Sequence, residues 1–202
     1  MKLAEVYTKN QIAKLGNTII FLCNHIQPLT KIQLLKLIFF IEVESIKTYG
    51  IPFFDLRFDV WKIGPISKDL FVELSDEPNL LSAYIVKECK GNETYFIPKQ
   101  AFSDDEFSDN EFHLLVNNCI KFRYIIDAGR LEEILENYTC GKNSIWYITA
   151  LRNGVLELLE SGKITTTDIS IDMSEIIIDN ESKLSIYLSH KEFLEQSRSL
   201  KF

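Results

Sequence analysis

Residues 30–75 read TKIQLLKLIFFIEVESIKTYGIPFFDLRFDVWKIGPISKDLFVELS, and the rest of the chain is organised around them. Thr30 follows Pro28-Leu29 and stands three residues before Gln33. That is a capping box: the Thr hydroxyl accepts an early backbone N–H and the Gln reaches back to the cap. The helix so opened runs toward Tyr49, and Gly50 stops it, with Pro52 as a second stop. Ile32, Leu34, Leu35, Leu37, Ile38, Phe39, Phe40, Ile41, Val43 and Ile46 cover nearly its whole circumference, and a helix apolar all round is buried on most sides. The run is too short, and too charged after Glu42, for a membrane span. Lys36 is the odd cation inside it. Either its stem packs while the ammonium snorkels to water, or it meets an anion or a partner at the edge of the core.

After Gly50 the period changes to two. Leu56, Phe58 and Val60 alternate with Asp55, Arg57, Asp59 and Trp61, which predicts a half-buried strand over 55–63. Gly64-Pro65 breaks it, and Ser67 caps a short helix carrying Leu70, Phe71 and Leu74. Trp61 falls on the face opposite Phe58. Strand aromatics usually pack, and a large aromatic beside a rigid turn also suits an interface. Gly64 is expected at positive φ, with Pro65 setting the next helix start.

KIQLLKLIFF (31–40), YGIPFF (49–54), the strand exit W-x-x-G-P (61–65) and DLFVEL (69–74) occur in that order, and together they resemble the Panacea domain family. Its members include SocA-like antitoxins and phage-associated GepA-like proteins. Leu35, Lys36, Leu37, Gly50, Pro52, Phe53, Trp61, Gly64 and Pro65 match the family pattern. Phe39 and Phe40 stand where an aromatic, often Tyr, is usual, and Ile66 replaces the common Val. The resemblance covers about residues 10–150. It implies an antitoxin-like protein that neutralises a cognate toxin, encoded by a neighbouring gene, through direct protein–protein binding. Alternatives are a protease adaptor that delivers the toxin for degradation, or a phage-associated protein or enzyme of unknown chemistry. Lys36, Trp61, Gly64 and Pro65 are the family-defining binding positions it singles out, more structural than contacting.

Composition sets limits. The chain has 202 residues, 46% hydrophobic and 25% charged, enough for one sizeable core. Residues 1–100 carry 12 basic and 11 acidic residues and the remainder 10 and 18, so the net −7 lies in the second half. An acidic half disfavours phosphate-backbone binding, and no direct nucleic-acid contact is expected. It suits a solvated surface or a basic protein partner. Cys23, Cys89, Cys119 and Cys140 form no C-x-x-C pair, no signal-peptide pattern opens the chain and no long apolar run occurs. Free thiols, a cytoplasmic protein and no membrane contact are expected.

Along the remaining chain, Asn10 is read as the cap of a first helix with Ile12, Leu15, Ile19, Leu22 and Ile26 as its inward stripe, ended by Pro28 and antiparallel to the apolar helix. Residues 84–86 and 94–97 predict a hairpin that joins the 55–63 strand in a small antiparallel sheet. Ser108 with Glu111 opens a helix bearing Phe112, Leu115, Val116, Cys119 and Phe122. Asp127 opens another, with Leu131, Ile134, Leu135 and Tyr138 inward and Gly141 as its stop. Ser144 starts a short helix around Trp146, and 155–159 finishes one before Gly162. In the tail, Ile169, Ile171 and Met173, then Leu184, Ile186 and Leu188, alternate with polar residues and predict a β-hairpin. Ser189 with Glu192 then caps a last helix. The hairpin either closes the domain's own sheet or serves a partner.

The expected architecture is α+β and mainly helical: a compact helical domain, residues 1–162, with a small antiparallel sheet, and a hairpin-helix extension, residues 163–202, packed on it. No catalytic or metal constellation is recognisable. His25, His113 and His190 are far apart, the acidic run 104–109 lacks EF-hand spacing, and Cys140-Gly141-Lys142-Asn143-Ser144 lacks the earlier glycine of a phosphate loop. No cofactor, no metal and no enzymatic activity are expected.

Overall fold

The computed structural model describes residues 7–26, 29–91, 93–127 and 130–199. Helix α1 (Lys9–His25) is opened by Thr8, whose hydroxyl accepts from Gln11 N at 3.2 Å while Gln11 Oε1 accepts from Thr8 N. The cap is Thr8, not Asn10, because only Thr8 has a Gln three residues on to complete the box. Leu15, Ile19 and Leu22 are buried along its inner face; Pro28, read as its stop, lies outside the described residues. Helix α2 (Lys31–Tyr49) has the predicted Thr30–Gln33 box and ends on Gly50 at φ 71, and every residue from Leu34 to Val43 is buried.

A tight hairpin follows. β1 (Asp59–Trp61) pairs with β2 (Gly64–Ile66), Trp61 opposite Gly64 and Val60 opposite Pro65. The predicted 55–63 strand therefore shrinks to three residues, because Gly64-Pro65 folds the chain back after only Lys62 and Ile63. Ser67 precedes α3 (Lys68–Ser75), though its side chain makes no cap bond. The second hairpin, β3 (Ile85–Lys90) with β4 (Glu93–Pro98), forms where expected. It does not join β1, so the described residues hold two separate two-stranded sheets rather than one.

Helix α4 (Asp109–Asp127) opens on the Ser108–Glu111 box, Ser108 N donating to Glu111 Oε2 at 2.9 Å. It runs through Asp127, which ends this helix instead of opening the next. Then come α5 (Leu131–Cys140), α6 (Ile145–Arg152), capped by the Ser144 hydroxyl, and the short α7 (Leu156–Glu160). Helix α2 is the hub, with backbone contacts to α3, α4, α5, β2 and β4. The nearest backbone neighbours of α1 are β4, α4 and β3, rather than α2 as a short connection alone suggests.

The tail departs most from the sequence expectation. Residues 165–171 run antiparallel along the other edge of β1: Val60 N donates to Ile169 O at 2.9 Å and Ile171 N to Phe58 O at 2.8 Å. A 3-10 turn (Met173–Ile177) leads into α8 (Glu181–Ser199). Asn180 caps α8, its Oδ1 accepting from Lys183 N at 3.0 Å, so the expected 184–188 strand is helix and the Ser189–Glu192 box lies in its interior. The helical stripe is Leu184, Tyr187, Lys191 and Leu194, with Tyr187 buried and the others half-buried on one side of α8, and it leaves Ile186 and Leu188 exposed. No C-terminal hairpin exists among the described residues. Ile171, Met173, Ile177 and Tyr187 all enter the same apolar core as α1 and α2.

Candidate interaction site

The four positions singled out by the sequence come together at the W-x-x-G-P hairpin. Gly64 has φ 117, and a Cβ there would sit 3.0 Å from Cys140 Sγ and 3.9 Å from Lys36 Cε. Left-handed backbone and lack of space both require glycine. Pro65 is buried in β2 and fixes the strand rather than the helix start three residues later. Lys36 does not snorkel. It is 6% exposed, and its ammonium forms an ion pair with Glu136 of α5. Two helices that cross beside the hairpin are thereby tied together; such a pair orders the packing more than it stabilises it.

Trp61 turns its half-buried indole away from that seat. Its Nε1 donates to Thr167 O at 3.1 Å, and its ring meets Phe71 edge-on at 5.0 Å. Its carbonyl accepts from Trp146 Nε1 at 3.0 Å. Trp61 therefore fastens β1 to the 165–171 segment and to α6. Lys36, Gly64 and Pro65 face the α2–α5 side of the hairpin, Trp61 the tail.

A second arrangement went unread in the sequence. Glu42 of α2 is 1% exposed and accepts from Phe54 N at 2.7 Å. Burial pushes its carboxyl up to about 7; the Phe54 N–H opposes the rise, neighbouring Asp55 adds to it, and Lys191 and Lys14 oppose it. Asp55 stands at φ 57, the one described non-glycine residue with positive φ, a conformation short Asp side chains tolerate. Its buried carboxylate pairs with Lys191 of α8. Asp59, 3% exposed, accepts from Arg57 Nε at 2.9 Å, and Arg57 Nη2 donates to Asp168 O at 3.0 Å.

Asp55, Arg57, Asp59, Asp168 and Lys191 line a cleft of about 770 Å³ between β1, α3, the 168–173 segment and α8. Another cleft, about 350 Å³, opens on the other side of α8, floored by Ile51, Pro52, Phe53 and Phe54. Asp55 belongs to both. The sequence signal for this site was faint. Glu42 sits inside the apolar run much as Lys36 does, but strand alternation assigns Asp55 and Asp59 to solvent. Only the tail segment and α8, far off in sequence, bury them.

Among the described residues no group of three or more His, Cys, Asp or Glu side chains is placed to hold a metal ion. Burial pushes the Cys23 and Cys119 thiols up to about 12 and Cys140 to about 11, which keeps them protonated at neutral pH. Burial first, and the Lys191 and Lys14 charges besides, hold His190 below its ordinary value against the pull of Asp55 and Glu111. No described helix is long and apolar enough to cross a membrane.

The family model described as antitoxin SocA-like, Panacea domain, matches residues 34–142, just over half of the chain. No curated protein and no solved structure matches it. The matched region opens in the first turns of α2, two residues before Lys36, and closes just after α5, which carries Glu136. Between them lie the W-x-x-G-P hairpin, Glu42 and Asp55, so the helix crossing lies within the matched region, while the two clefts together also take residues from α1 and the tail. By that match, this chain belongs to the SocA-like antitoxin family of Panacea-domain proteins.

Proposed function

We propose that this protein is an antitoxin that neutralises a cognate toxin, encoded beside it, by direct protein–protein contact in the cytoplasm, and that it is not itself an enzyme. Membership of the SocA-like antitoxin family carries the reading. The charge distribution agrees with it. A chain with net charge −7, its acidic excess in the second half, draws a basic partner and repels phosphate backbones. Neutralisation by contact needs a rigid surface more than reacting groups, and the matched region offers one, braced by the Lys36–Glu136 pair and the hairpin seat.

Two experiments test this. The neighbouring reading frame is expressed alone and together with this chain; the toxin alone stops growth and the pair restores it. Purified toxin and antitoxin then co-elute at micromolar concentration. Restored growth without co-elution, accompanied by a shortened toxin half-life, would replace direct contact with delivery to a protease. A neighbour that never affects growth would remove the antitoxin reading.

A further inference from the structure

Helix α8 lies outside the family-matched region yet packs on it, pairing Lys191 with Asp55. The clefts on its two sides share Asp55, and the wall between them is the Asp55–Lys191 ion pair with Tyr187 beside it. Under α8 the two clefts are one trough. Its floor includes the stretch 51–55, which lies within the matched region.

The helix is lightly held. Among its described side chains only Tyr187 is fully buried, while Ile186, Leu188 and Phe193 are 42%, 55% and 65% exposed. Few buried apolar contacts mark an element that opens below the global unfolding free energy. Yet α8 fits closely. Its backbone passes Gly50 with Lys183 O 2.7 Å from where a Cβ would stand. The floor supplies the buried carboxylate of Asp55, with Glu42 buried close by, and Lys191 of α8 brings a cation to Asp55. A helix bringing an ammonium or guanidinium to that point meets the same complementarity.

We propose that α8 is an exchangeable intramolecular occupant of a helix-binding trough, and that it stands in for a helix of the toxin bearing a lysine or arginine at the place of Lys191. For the identity of that partner the inference rests on the reading above; the exchange itself does not. Free chains are then closed, and the partner helix displaces α8 to reach Asp55.

The test uses the full chain and a labelled synthetic peptide of residues 181–199 as probe, read by fluorescence anisotropy. The wild-type chain, occupied by its own helix, binds the peptide weakly. The double variant Tyr187→Ala, Lys191→Glu releases α8 and binds it at least about tenfold more tightly, the scale of 1.4 kcal/mol. Adding Asp55→Asn abolishes the gain, as does a peptide carrying Lys191→Glu. Hydrogen exchange on the unmodified chain checks the opening without any substitution: α8 amides exchange on the order of 100-fold faster than those of α2. Equal peptide binding by wild type and double variant overturns the proposal. So does exchange of α8 only together with α2. Concentration-dependent dimerisation of the wild-type chain would overturn the partner assignment in favour of a second copy's helix. If the peptide binds as expected but growth is never restored, the trough stands and the toxin reading falls.

Discussion

Glu42→Gln should make the fold more stable at neutral and alkaline pH. The wild-type carboxyl is held at about 7 in the fold against an ordinary 4.5. At ~1.4 kcal/mol per tenfold, its ionisation costs the folded state about 3 kcal/mol. Below pH 4.5 both folded and unfolded chains hold the proton and there is no cost. Between 4.5 and about 7 the unfolded chain gives up its proton first, so wild-type stability falls as pH rises. Above 7 the whole cost remains. A glutamine keeps the acceptor for Phe54 N, which lies 2.7 Å from the Glu42 oxygen, and removes the titration. Its amide N–H₂ needs an acceptor in the same closed space, which takes back about 1 kcal/mol. The net expectation is a loss of about 1 kcal/mol at pH 4 and a gain of about 2 kcal/mol at pH 8, the latter roughly 4–8 °C in Tm for a chain of this length. Urea or thermal unfolding of both proteins across that range reads it directly. Parallel stability curves would refute the reasoning, and a variant weaker at pH 8 would mean that Lys191 and Lys14 stabilise the ionised form more than burial opposes it.

Other outcomes are expected from the hairpin seat and the thiols. Lys36→Met keeps the packed stem and removes a buried charge, so it costs at most about 1 kcal/mol, whereas Glu136→Ala strands the ammonium and costs about 2 kcal/mol; urea midpoints rank the two. Trp61→Ala costs about 2–3 kcal/mol, less than for a fully buried Trp, because the ring is half-exposed but its N–H bond to Thr167 and its Phe71 contact are lost. An unchanged midpoint would make the ring free for a partner. Iodoacetamide on the native protein labels exposed Cys89 first, with buried Cys23 and Cys119 modified only after unfolding, as peptide mass spectrometry will show.

Local chemistry was legible where it acts within a few residues. The Thr30–Gln33 box, the Gly50 stop, the all-round apolar face of α2, the 85–98 hairpin and the Ser144 cap each depend on neighbours in the chain, and each forms as the residues imply. The W-x-x-G-P motif likewise announced the hairpin and the glycine at positive φ, and with the α2 pattern it carried the family resemblance. Tertiary packing decided the rest. Alternating apolar residues at 184–188 argue for a strand, but Asn180 as a cap and Tyr187 finding the core made the segment helix and left Ile186 and Leu188 exposed. Strand alternation placed Asp55 and Asp59 in water, but two segments more than a hundred residues away cover them. Lys36 found an ion-pair partner only because α5 brings Glu136 across 100 positions of sequence. Periodicity reports which face of an element is apolar; which charge meets which depends on the crossing of distant elements, and only the folded chain contains that.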